Sequence, residues 1–580
     1  MSARRGVVLI LLIMLVATVV SIGGVVLLVA AGLSAGTAPT VPSNATLYFK
    51  VGAPLPEMDQ FDAFSAFVPT PPTLRQTIDA IRRAKTDSRV KTLVIRPQVA
   101  GALWGQLQEI RAAIEDFKSS GKPVTAFLEA AGTQDYYLAS IADRVVMMPG
   151  GQLDVSGLAT YELFFRGTLD KVGVYPDLLH IGPYKTAANT FTERAFTPAH
   201  REMAEWLARD WFAQIVRDVA AGRKRDDAAF RRALEGGPYR AEEARDAGLV
   251  DALAYEDELD NAEPIQGTRR FESGDYLKIV SPAHTGTSGR IALVYAVGTI
   301  ASGRSDPGGT VVGSESFAEW MRKIRLDAGI RAVVLRVDSP GGSAIASEAM
   351  WRELHLTKAI KPVIVSMGDV AASGGYYIAA PANAIVAEPG TITGSIGVVT
   401  GKLVLEGALD KIGVGSGAVS IGPMAEIYSP FKPFSAPERE RIESHMQATY
   451  DLFVSRVADG RNKTPQQIDA VGQGRVWTGQ QARELGLVDE LGGLETAIRL
   501  AKQHAKLDVN RDVSLVVYPP RRSVFEVLSD PFGGNTGFDM QLEPWFSRPE
   551  ARVFESAVAT LMRFRRGEPL TLLPNVFLTR

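Results

Sequence analysis

Short apolar, β-branched runs alternate with longer amphipathic segments along most of the chain. In the second half, the apolar runs predict strands, and the segments with apolar residues at helical spacing predict helices. The strands are expected at 291–297, 332–337, 362–366 and 384–387, and the helices at 316–325, 347–356 and 437–458. Strands that alternate with helices indicate parallel βαβ units with right-handed crossovers, so the predicted fold class is α/β. Periodicity alone does not distinguish a parallel β-superhelix from a doubly wound sheet.

A different hydrophobic pattern opens the chain. Residues 6–31 contain no charge and no proline, a stretch long enough to cross a bilayer as a tilted helix. Arg4 and Arg5 precede it and the next basic residue is Lys50, so the positive-inside rule predicts residues 1–5 in the cytoplasm and the following domains outside. A cleaved signal peptide has a shorter apolar region of about 7–15 residues. We therefore expect an uncleaved, single-pass anchor.

Beyond a linker at 32–44, the chain repeats itself at an offset of 240 residues (376 − 136). Three matched pairs carry the repeat: Asp135-Tyr-Tyr-Leu-Ala139 with Gly375-Tyr-Tyr-Ile-Ala379, Leu169-Asp-Lys-Val-Gly-Val174 with Leu409-Asp-Lys-Ile-Gly-Val414, and Ile181-Gly-Pro183 with Ile421-Gly-Pro423. So long a period indicates a duplicated domain, since solenoid repeats are much shorter. We predict an N-terminal repeat domain at 45–265, a C-terminal repeat domain at 285–510 and a C-terminal extension at 511–580.

The composition narrows the chemistry. Of the 580 residues, 46% are hydrophobic and 22% are charged, which is typical of globular protein, and the net charge of −2 gives no indication of nucleic-acid binding. The absence of cysteine excludes a thiol nucleophile, disulfides and Cys-ligated metal sites. The six histidines form no metal-binding motif, so we expect neither a metal nor another cofactor.

Two glycine-rich loops each follow a predicted strand: Asp338-Ser-Pro-Gly-Gly-Ser343 and Ala371-Ala-Ser-Gly-Gly-Tyr-Tyr377. A short helix is expected directly after Ser373, at a point where backbone N–H groups lack helical partners. The N–H of Gly374, with those of Gly341 and Gly342, could hold a developing oxyanion. This arrangement suits acyl transfer with Ser373 as nucleophile. The alternative is that the glycines only permit tight turns and that Ser373 is a helix cap.

The two repeats differ where this chemistry would lie. Opposite the first glycine loop the N-terminal repeat has Pro97-Gln-Val-Ala-Gly101, and opposite Ser373 it has Thr133. Conversely, Lys185 in the N-terminal repeat matches Ala425 in the C-terminal repeat. One repeat therefore carries the serine and the donors and the other carries the lysine, which predicts one composite site built from both.

Lys185 is the candidate base for this site. A serine hydroxyl becomes nucleophilic when a neighbouring base takes its proton, and a lysine can act as that base only when its amine is neutral. The free pKa is about 10.4, and burial lowers it. The nearest acidic residues in sequence are Asp177 and Glu193, which favours an unpaired, desolvated amine. His180 is an alternative base, but its place in a predicted strand at 177–181 favours a core histidine.

Other polar residues near the glycine loops receive supporting roles. Ser343 and Ser395 lie in glycine-flanked loops, and we expect them to bond Lys185 or the substrate. Ser366 ends a predicted strand. Asp338 precedes the first glycine loop and is expected to fix its turn, not to ionise in catalysis.

The combined motifs resemble those of the bacterial signal peptide peptidase A family in its long, duplicated form. Besides the glycine loops, the matching segments are Gly182-Pro-Tyr-Lys-Thr-Ala187 and Thr391-Ile-Thr-Gly-Ser-Ile-Gly397. The resemblance runs from the anchor to about residue 505. It implies tandem domains with the parallel β-superhelix of Clp protease and crotonases. It also implies a serine protease of the inner membrane, with both domains in the periplasm.

The resemblance also implies roles and partners. Ser373 would be the nucleophile and Lys185 the general base. The oxyanion donors would be the amides of Gly374 and of Gly341 or Gly342. The implied substrates are remnant signal peptides, and the implied assembly is a dome-shaped homotetramer.

Two other functions remain open from the residues alone. One is an acyl-CoA enzyme on the same fold, in which the glycine loops would stabilise an enolate and the base is usually a carboxylate. The other is a catalytically inactive membrane scaffold. The extension at 511–580 matches the family poorly, and we expect it to pack on the core as strands and helices, with a lid, an oligomer contact or a membrane contact as the functional alternatives.

Overall fold

The computed structural model describes residues 39–52, 55–59, 71–279, 286–306 and 309–520, and, beyond these ranges, Met14, Leu15, Gly24, Phe564, 567–573 and 578–579. The predicted anchor at 6–31 lies outside the described residues, except for Met14, Leu15 and Gly24, which are helical. No helix in the described part of the chain is long and apolar enough to cross a membrane.

Strands and helices alternate through the first half of the chain. Its strands are β1 Ala45–Gly52, β2 Val90–Gln98, β3 Val124–Gly132, β4 Arg144–Asp154, β5 Thr160–Tyr161, β6 Tyr175–Ile181, β7 Tyr239–Arg240, β8 Ala252–Leu253 and β9 Arg269–Glu272. Its helices are α1 Leu74–Thr86, α2 Trp104–Lys118, α3 Thr133–Ala139, α4 Arg166–Val172, α5 Asn189–Thr192, α6 Pro198–Gly222, α7 Asp227–Glu235, α8 Ala241–Asp246, α9 Glu256–Leu259 and α10 Ser273–Ile279.

The second half follows the same plan. Its strands are β10 Arg290–Val297, β11 Thr299–Ala301, β12 Val311–Gly313, β13 Ile330–Ser339, β14 Gly341–Ser343, β15 Val363–Ala372, β16 Ala384–Ala387, β17 Ile392–Gly394, β18 Val398–Val404, β19 Val476–Thr478, β20 Glu490–Leu491, β21 Ser514–Tyr518, β22 Leu570–Leu572 and β23 Leu578–Thr579. Its helices are α11 Ser314–Leu326, α12 Ala344–Lys358, α13 Gly374–Ala379, α14 Glu406–Lys411, α15 Ala436–Arg461, α16 Pro465–Val471, α17 Gly479–Glu484 and α18 Leu494–His504.

The two halves build the same sheet twice. The first sheet has the order β7-β4-β3-β2-β1-β9, with β8 also paired to β4, and the second has the order β19-β17-β15-β13-β10-β21, with β16 paired to β15 and β20. The central strands β1, β2 and β3 of the first sheet pair in parallel, and so do β10, β13 and β15 of the second. The edge strands β7 and β19 are antiparallel to their neighbours. The predicted α/β class is confirmed, and the matching order supports the predicted duplication.

The strands follow one another across each sheet in chain order. In the first sheet β1, β2, β3 and β4 are consecutive neighbours, and a helix crosses between each parallel pair up to β4, as parallel pairing requires. A doubly wound sheet would instead reverse its strand order at a switch point. The order of the described strands therefore fits the superhelical alternative.

Strand β15 extends further than its apolar pattern predicts. The apolar run predicts 362–366, whereas the strand continues to Ala372. Residues 363–367 pair with β13, and this pairing continues at Ala371 after a register shift, while residues 370–372 also pair with β17. Gly368 and Asp369 interrupt the apolar run and hide this second part from a hydrophobicity pattern. The extension matters because it carries the chain directly to Ser373.

A third sheet joins the halves, with the order β12-β11-β14-β22-β18-β6. Its edge strand β6 comes from the first half and pairs antiparallel with β18 of the second half, from Ile181 opposite Val398 to Tyr175 opposite Val404. Since β6 leads into the loop that carries Lys185, this pairing delivers the lysine of one half to the glycine loops of the other.

The interface between the halves is buried and specific. Ala372, Ile392 and Val476 of the second half pack into the main apolar core of the first half. The indole nitrogen of Trp211 donates to the carbonyl of Gly390 across the interface at 3.0 Å. The halves therefore form one packed unit, which can hold a site between them rigidly.

Candidate active site

Ser373 lies at a strained turn between β15 and α13. Its backbone has φ 55° and ψ −112°, in the region that favours glycine. The turn is held on both sides, because the Ser373 N–H donates to Gly394 at 2.8 Å and its carbonyl accepts from Tyr377 at 2.8 Å. A serine on such a sharp strand-to-helix turn is typical of a nucleophile whose hydroxyl must stand clear of the backbone.

The structure brings Lys185 to this serine. The Lys185 Nζ atom lies 2.7 Å from Ser373 Oγ, 2.9 Å from Ser395 Oγ and 3.1 Å from the Ser395 carbonyl oxygen. Lys185 is 1% exposed and Ser373 is 0% exposed. The two residues that the repeat asymmetry singled out are therefore in direct contact, within one chain.

The surroundings of Lys185 favour the neutral amine. All three of its hydrogen-bond partners are uncharged, and burial lowers the pKa of the amine well below its usual value. A neutral amine has two N–H donors and one lone pair. It can donate both hydrogens to Ser395 and accept the Ser373 hydroxyl proton. The contacts thus match the protonation state that a general base needs.

Glycines shape the Lys185 loop, and sequence reasoning missed them. A Cβ atom on Gly474, which has φ +79°, would lie 2.4 Å from the backbone nitrogen of Lys185. A Cβ atom on Gly397 would lie 3.1 Å from the Cδ atom of Lys185. The Tyr184 N–H also donates to the Gln473 carbonyl at 3.1 Å. Gly397 ends the Thr-Gly-Ser-Ile-Gly motif, so the motif could have indicated its place in the site. The sequence around Gly474 contains no motif that indicates such a place.

Two of the predicted oxyanion donors lie near the serine: Gly374 follows it directly, and Gly341 packs against Gly374. A Cβ atom on Gly341 would come within 2.6 Å of the Gly374 nitrogen, so the two glycine loops touch. Gly341 has φ 97° and Gly342 has φ 154°, which a side chain would disfavour. In this structure the Gly341 N–H donates to Ser339 Oγ at 3.2 Å. Gly374 begins α13, where its N–H has no partner within the helix.

Of the three other serines considered, one contacts Lys185 and two bond other groups. Ser395 contacts Lys185 as predicted, with its backbone at φ 52°. Ser343 contacts neither Lys185 nor Ser373 among its described bonds, because its hydroxyl caps α12 and bonds the Glu568 carboxylate of the C-terminal extension. Ser366 bonds the Arg336 guanidinium at 2.9 Å.

Asp338 and His180 take structural positions. The Asp338 carboxylate accepts the Val370 N–H at 2.9 Å, which fits its predicted role in fixing the turn. The prediction that His180 is a core histidine is wrong: it is exposed, and its Nδ1 lies 2.9 Å from the Gly182 carbonyl. On its face of β6, exposure rises from the buried Pro176 through the half-buried Leu178 to His180, so the strand leaves the core at this end.

The chain is similar to known peptidases. The model of Peptidase family S49 matches residues 116–263 and 355–508, once in each half. "Protease 4" of Salmonella typhi is 37% identical over 80% of this chain and 76% of its own length. "Serine protease SPPA, chloroplastic" of Arabidopsis thaliana is 34% identical over 81% of this chain and 72% of its own length. "Protease 4" of Haemophilus influenzae is 36% identical over 73% and 72%, respectively.

Among solved structures, a ClpP1 from Listeria monocytogenes matches 36% of this chain and 94% of its own, with 12% identity and a TM-score of 0.24, which is too low to support an argument. The sequence relatives show the family, because two of them match about four-fifths of this chain. The chain therefore belongs to peptidase family S49 and is a serine protease of the signal peptide peptidase type.

Proposed function

We propose that this protein is a membrane-anchored endopeptidase that cleaves remnant signal peptides and other extended apolar peptides with a Ser373/Lys185 dyad. One observation carries the proposal: a buried lysine amine with uncharged partners lies 2.7 Å from the hydroxyl of a serine on a strained turn. The family assignment favours this function over an acyl-CoA enzyme, and the described contacts offer a neutral amine as the base.

The dyad supports a complete acyl-transfer cycle. Lys185 Nζ takes the Ser373 hydroxyl proton as Oγ attacks the scissile carbonyl. The resulting oxyanion lies towards the amides of Gly374 and of Gly341 or Gly342. The protonated amine then gives its proton to the departing peptide nitrogen, leaving an acyl-serine. Water enters, Lys185 takes one of its protons as the water oxygen attacks the acyl-serine, and the protonated amine then gives that proton to Ser373 Oγ as the acid leaves. Ser395 keeps the amine in place throughout.

Loss of either dyad member tests this function. Ser373→Ala and Lys185→Ala should each abolish hydrolysis of an apolar peptide while the protein stays folded, and the double variant should be no worse than either single variant. Ser366→Ala, which removes a buried hydroxyl outside the dyad, is the matched control and should retain activity. Full activity in either dyad variant would contradict the assignment.

We also propose that chains assemble head to tail into a ring of four. Within one chain, β6 at 175–181 pairs with β18 at 398–404. The repeat offset maps these segments onto 415–421 and 158–164. Val419 and Ile421 are 99% and 95% exposed, which leaves these apolar side chains of segment 415–421 without cover in the described structure. Pairing of 415–421 with 158–164 of the next chain would bury it and repeat the internal contact, as heterologous contacts do in rings.

One described contact already lies at segment 158–164. Leu578–Thr579 pairs with one edge of Thr160–Tyr161, and the neighbouring chain would pair with the other edge, as β6 and β22 pair with the two edges of β18. Ile421→Asp should convert the assembly to monomers in sedimentation velocity, whereas Ile360→Asp, at an exposed helix end outside both segments, should not. A variant at Ile421 that sediments like the parent protein would contradict the ring.

The proposed membrane topology is a single N-terminal span with both repeats in the periplasm. It is supported by the uncharged stretch at 6–31 and by the arginines that precede it. A protease added to cells whose outer membrane alone has been made permeable should degrade the bulk of the chain. Protection of the bulk would place the repeats in the cytoplasm and contradict the topology.

A further inference from the structure

The turn between α16 and β19 contacts both the Lys185 loop and the loop that carries Ser395. On one side, the Ser395 N–H donates to the Arg475 carbonyl at 2.7 Å. On the other side, the Tyr184 N–H donates to the Gln473 carbonyl at 3.1 Å. Since the Lys185 amine bonds Ser395, this turn sets how closely the lysine loop approaches the serine that holds its amine.

The side chain of Arg475 in this turn lies among three aromatic rings. Its guanidinium carbon is 4.6 Å from the centre of the Tyr184 ring, 4.8 Å from that of Trp477 and 5.3 Å from that of Trp206. All three distances are within the range of about 6 Å over which an aromatic face attracts a cation. Tyr184 directly precedes Lys185, and Trp206 lies on α6, so the arginine of the second half binds two rings of the first half.

An ion pair fixes the guanidinium in this position. Arg475 Nη1 lies 2.9 Å from Glu202 Oε1, and the Tyr184 hydroxyl donates to Glu202 Oε2 at 3.2 Å. The Arg475 side chain is 14% exposed, whereas that of Glu202 is 52% exposed. The arginine, the glutamate and the three rings therefore form one cluster beside the Lys185 loop, which we call the Arg475 cluster.

The first half lacks this arginine. β7 pairs with β4 as β19 pairs with β17, and at the repeat offset of 240 residues (393 − 153) the registers place Tyr239 where the second half has Trp477. Two positions earlier, Gly237 therefore corresponds to Arg475. The same turn beside the same strand thus exists in both halves, and the arginine is present only in the half that carries the candidate nucleophile. A role confined to shaping the turn does not explain this difference.

The turn that carries the arginine covers Lys185 closely. A Cβ atom on Gly474 would lie 2.5 Å from the Cβ atom of Lys185. Burial is the cause of the lowered pKa of the Lys185 amine, and no charged group adds to it. The titratable side chains on the segments that flank or cover the loop are His180, Tyr184, Glu193, His200, Glu202 and Arg475. The exclusion of water from the amine is therefore what keeps it neutral.

We propose that Arg475 is a positioning residue that holds the Lys185 loop in place and excludes water from its amine. Its contacts with Tyr184 and Glu202 hold that loop against the second half, so that the amine stays next to the serine hydroxyl. Arg475 does not touch the reacting atoms and acts only through Lys185. Without it the loop loosens, water reaches the amine and the charged form gains stability. This inference rests on the proposed dyad.

The first test removes the charge of Arg475 in the full chain and keeps most of its size. With an activated ester, the pH midpoint of acylation in Arg475→Gln should rise by at least about one unit, which lowers the neutral fraction of the amine about tenfold below both midpoints. Above the raised midpoint the rate should return to that of the parent, because Lys185 is again neutral. A merely structural loss would lower the rate at every pH.

Arg270→Gln is the matched control. Its guanidinium lies 3.9 Å from the centre of the Tyr48 ring and 2.9 Å from Glu256, in a similar cluster outside the site. This variant should leave the midpoint unchanged. An unchanged midpoint in Arg475→Gln, in protein with the parent's circular dichroism spectrum, would overturn the proposal.

The second test separates position from charge. Loss of a cation near Lys185 would by itself raise the pKa of its amine, so the first result needs this complement. Glu202→Arg breaks the ion pair with Arg475 and adds a cation, which alone would lower the midpoint. The loosened Arg475 cluster should nevertheless raise it. The variant changes an exposed side chain and should fold as the parent does, so it decides the question even if Arg475→Gln does not fold. A midpoint that is unchanged or lowered would overturn the positioning role.

Lys185→Met distinguishes failure of this inference from failure of the dyad. In the parent chain, acylation of Ser373 should depend on Lys185 and show the lowered midpoint. Acylation that is equally fast in Lys185→Met would overturn the dyad and the positioning role with it. A midpoint that disappears in Lys185→Met but is the same in the parent, Arg475→Gln and Glu202→Arg would retain the dyad and overturn only the role of Arg475.

Discussion

At Lys185, the proposed chemistry depends on burial. Burial lowers the pKa of the amine, and no charged group takes part in its described hydrogen bonds. The acylation rate measured with an activated ester should therefore rise with pH, with a midpoint well below the value of about 10.4 for a free lysine. Lys185→Arg should be inactive at every pH, because a guanidinium does not lose its proton. A midpoint at the free-lysine value would contradict the desolvated amine.

The same shift affects stability. Below the pKa of a free lysine the unfolded chain binds a proton that the folded amine lacks, so the free energy of unfolding rises with pH between the lowered and the free pKa. Lys185→Met should remove this slope. The measurement is urea unfolding of both proteins across that pH range, and parallel slopes would show that Lys185 titrates normally.

At Ser373, the strained backbone should be detectable as lost stability. Ser373→Gly relieves a positive φ and Ser373→Ala keeps it, so the glycine variant should be more stable than the alanine variant by about 1 kcal/mol, after allowing for the larger unfolded-state entropy of glycine. Ala448→Gly, at an exposed position inside α15, should instead lose about 1 kcal/mol. Equal or lower stability of Ser373→Gly in urea unfolding would contradict the strain.

At the scale of elements, one buried ion cluster joins the halves. The guanidinium of Arg336 on β13 is 1% exposed and donates to Glu57 at 2.7 and 2.9 Å and to Glu109 at 2.8 Å. Both carboxylates belong to the first half. Glu388, a buried residue directly after β16, interacts electrostatically with Glu109 and Arg336 and so belongs to this cluster. Burial raises the pKa of the Glu57 and Glu388 carboxyls. The cluster therefore contains more acidic groups than its one arginine neutralises.

Removal of the arginine should be costly and pH-dependent. Arg336→Met should lower the free energy of unfolding by about 3–5 kcal/mol at pH 7, because it leaves buried carboxylates unpaired. Carboxyls with raised pKa bind more protons in the folded state, so stability lost near pH 7 should partly return at pH 5. Arg209→Met, in an exposed pair with Glu205, should change stability by less than about 1 kcal/mol. A loss at Arg336 that does not shrink at pH 5 would contradict this account.

The sequence pattern predicted elements best where an apolar run or an amphipathic repeat has the same length as the element. Residues 384–387 form β16 as predicted, and the helix expected at 437–458 is Ala436–Arg461. The contact between Lys185 and Ser373 was also accessible, because each half had lost what the other kept. By contrast, the exposure of His180 depends on the end of β6 leaving the core, which no local pattern shows.

The C-terminal segment marks the limit of that reasoning. β22 has three residues, and its partners on β14 lie more than 200 positions earlier, as in the pairing of Thr571 with Gly342. Local hydrophobicity carries no information about such a distant partner. The prediction that the extension packs on the core is therefore right for Leu570–Leu572 and Ser514–Tyr518 but missed where the first of these packs. The rest of the extension lies largely outside the described residues.

At the scale of the whole molecule, the proposed dyad lies within one chain. Lys185 and Ser373 come from the two halves of the same polypeptide. Mixed oligomers of Ser373→Ala and Lys185→Ala proteins should therefore remain inactive in a peptidase assay, because no chain holds both groups. Recovered activity on mixing would show that the dyad forms between neighbouring chains.

The most direct test of the dyad is the site and lysine dependence of fluorophosphonate labelling. The reagent should modify Ser373 and no other serine, as mapped by mass spectrometry of the digested protein. Lys185→Met should abolish that labelling at neutral pH, whereas Ser366→Ala should leave it intact. Labelling at another serine, or labelling of Ser373 that is equally fast without the Lys185 amine, would contradict the account.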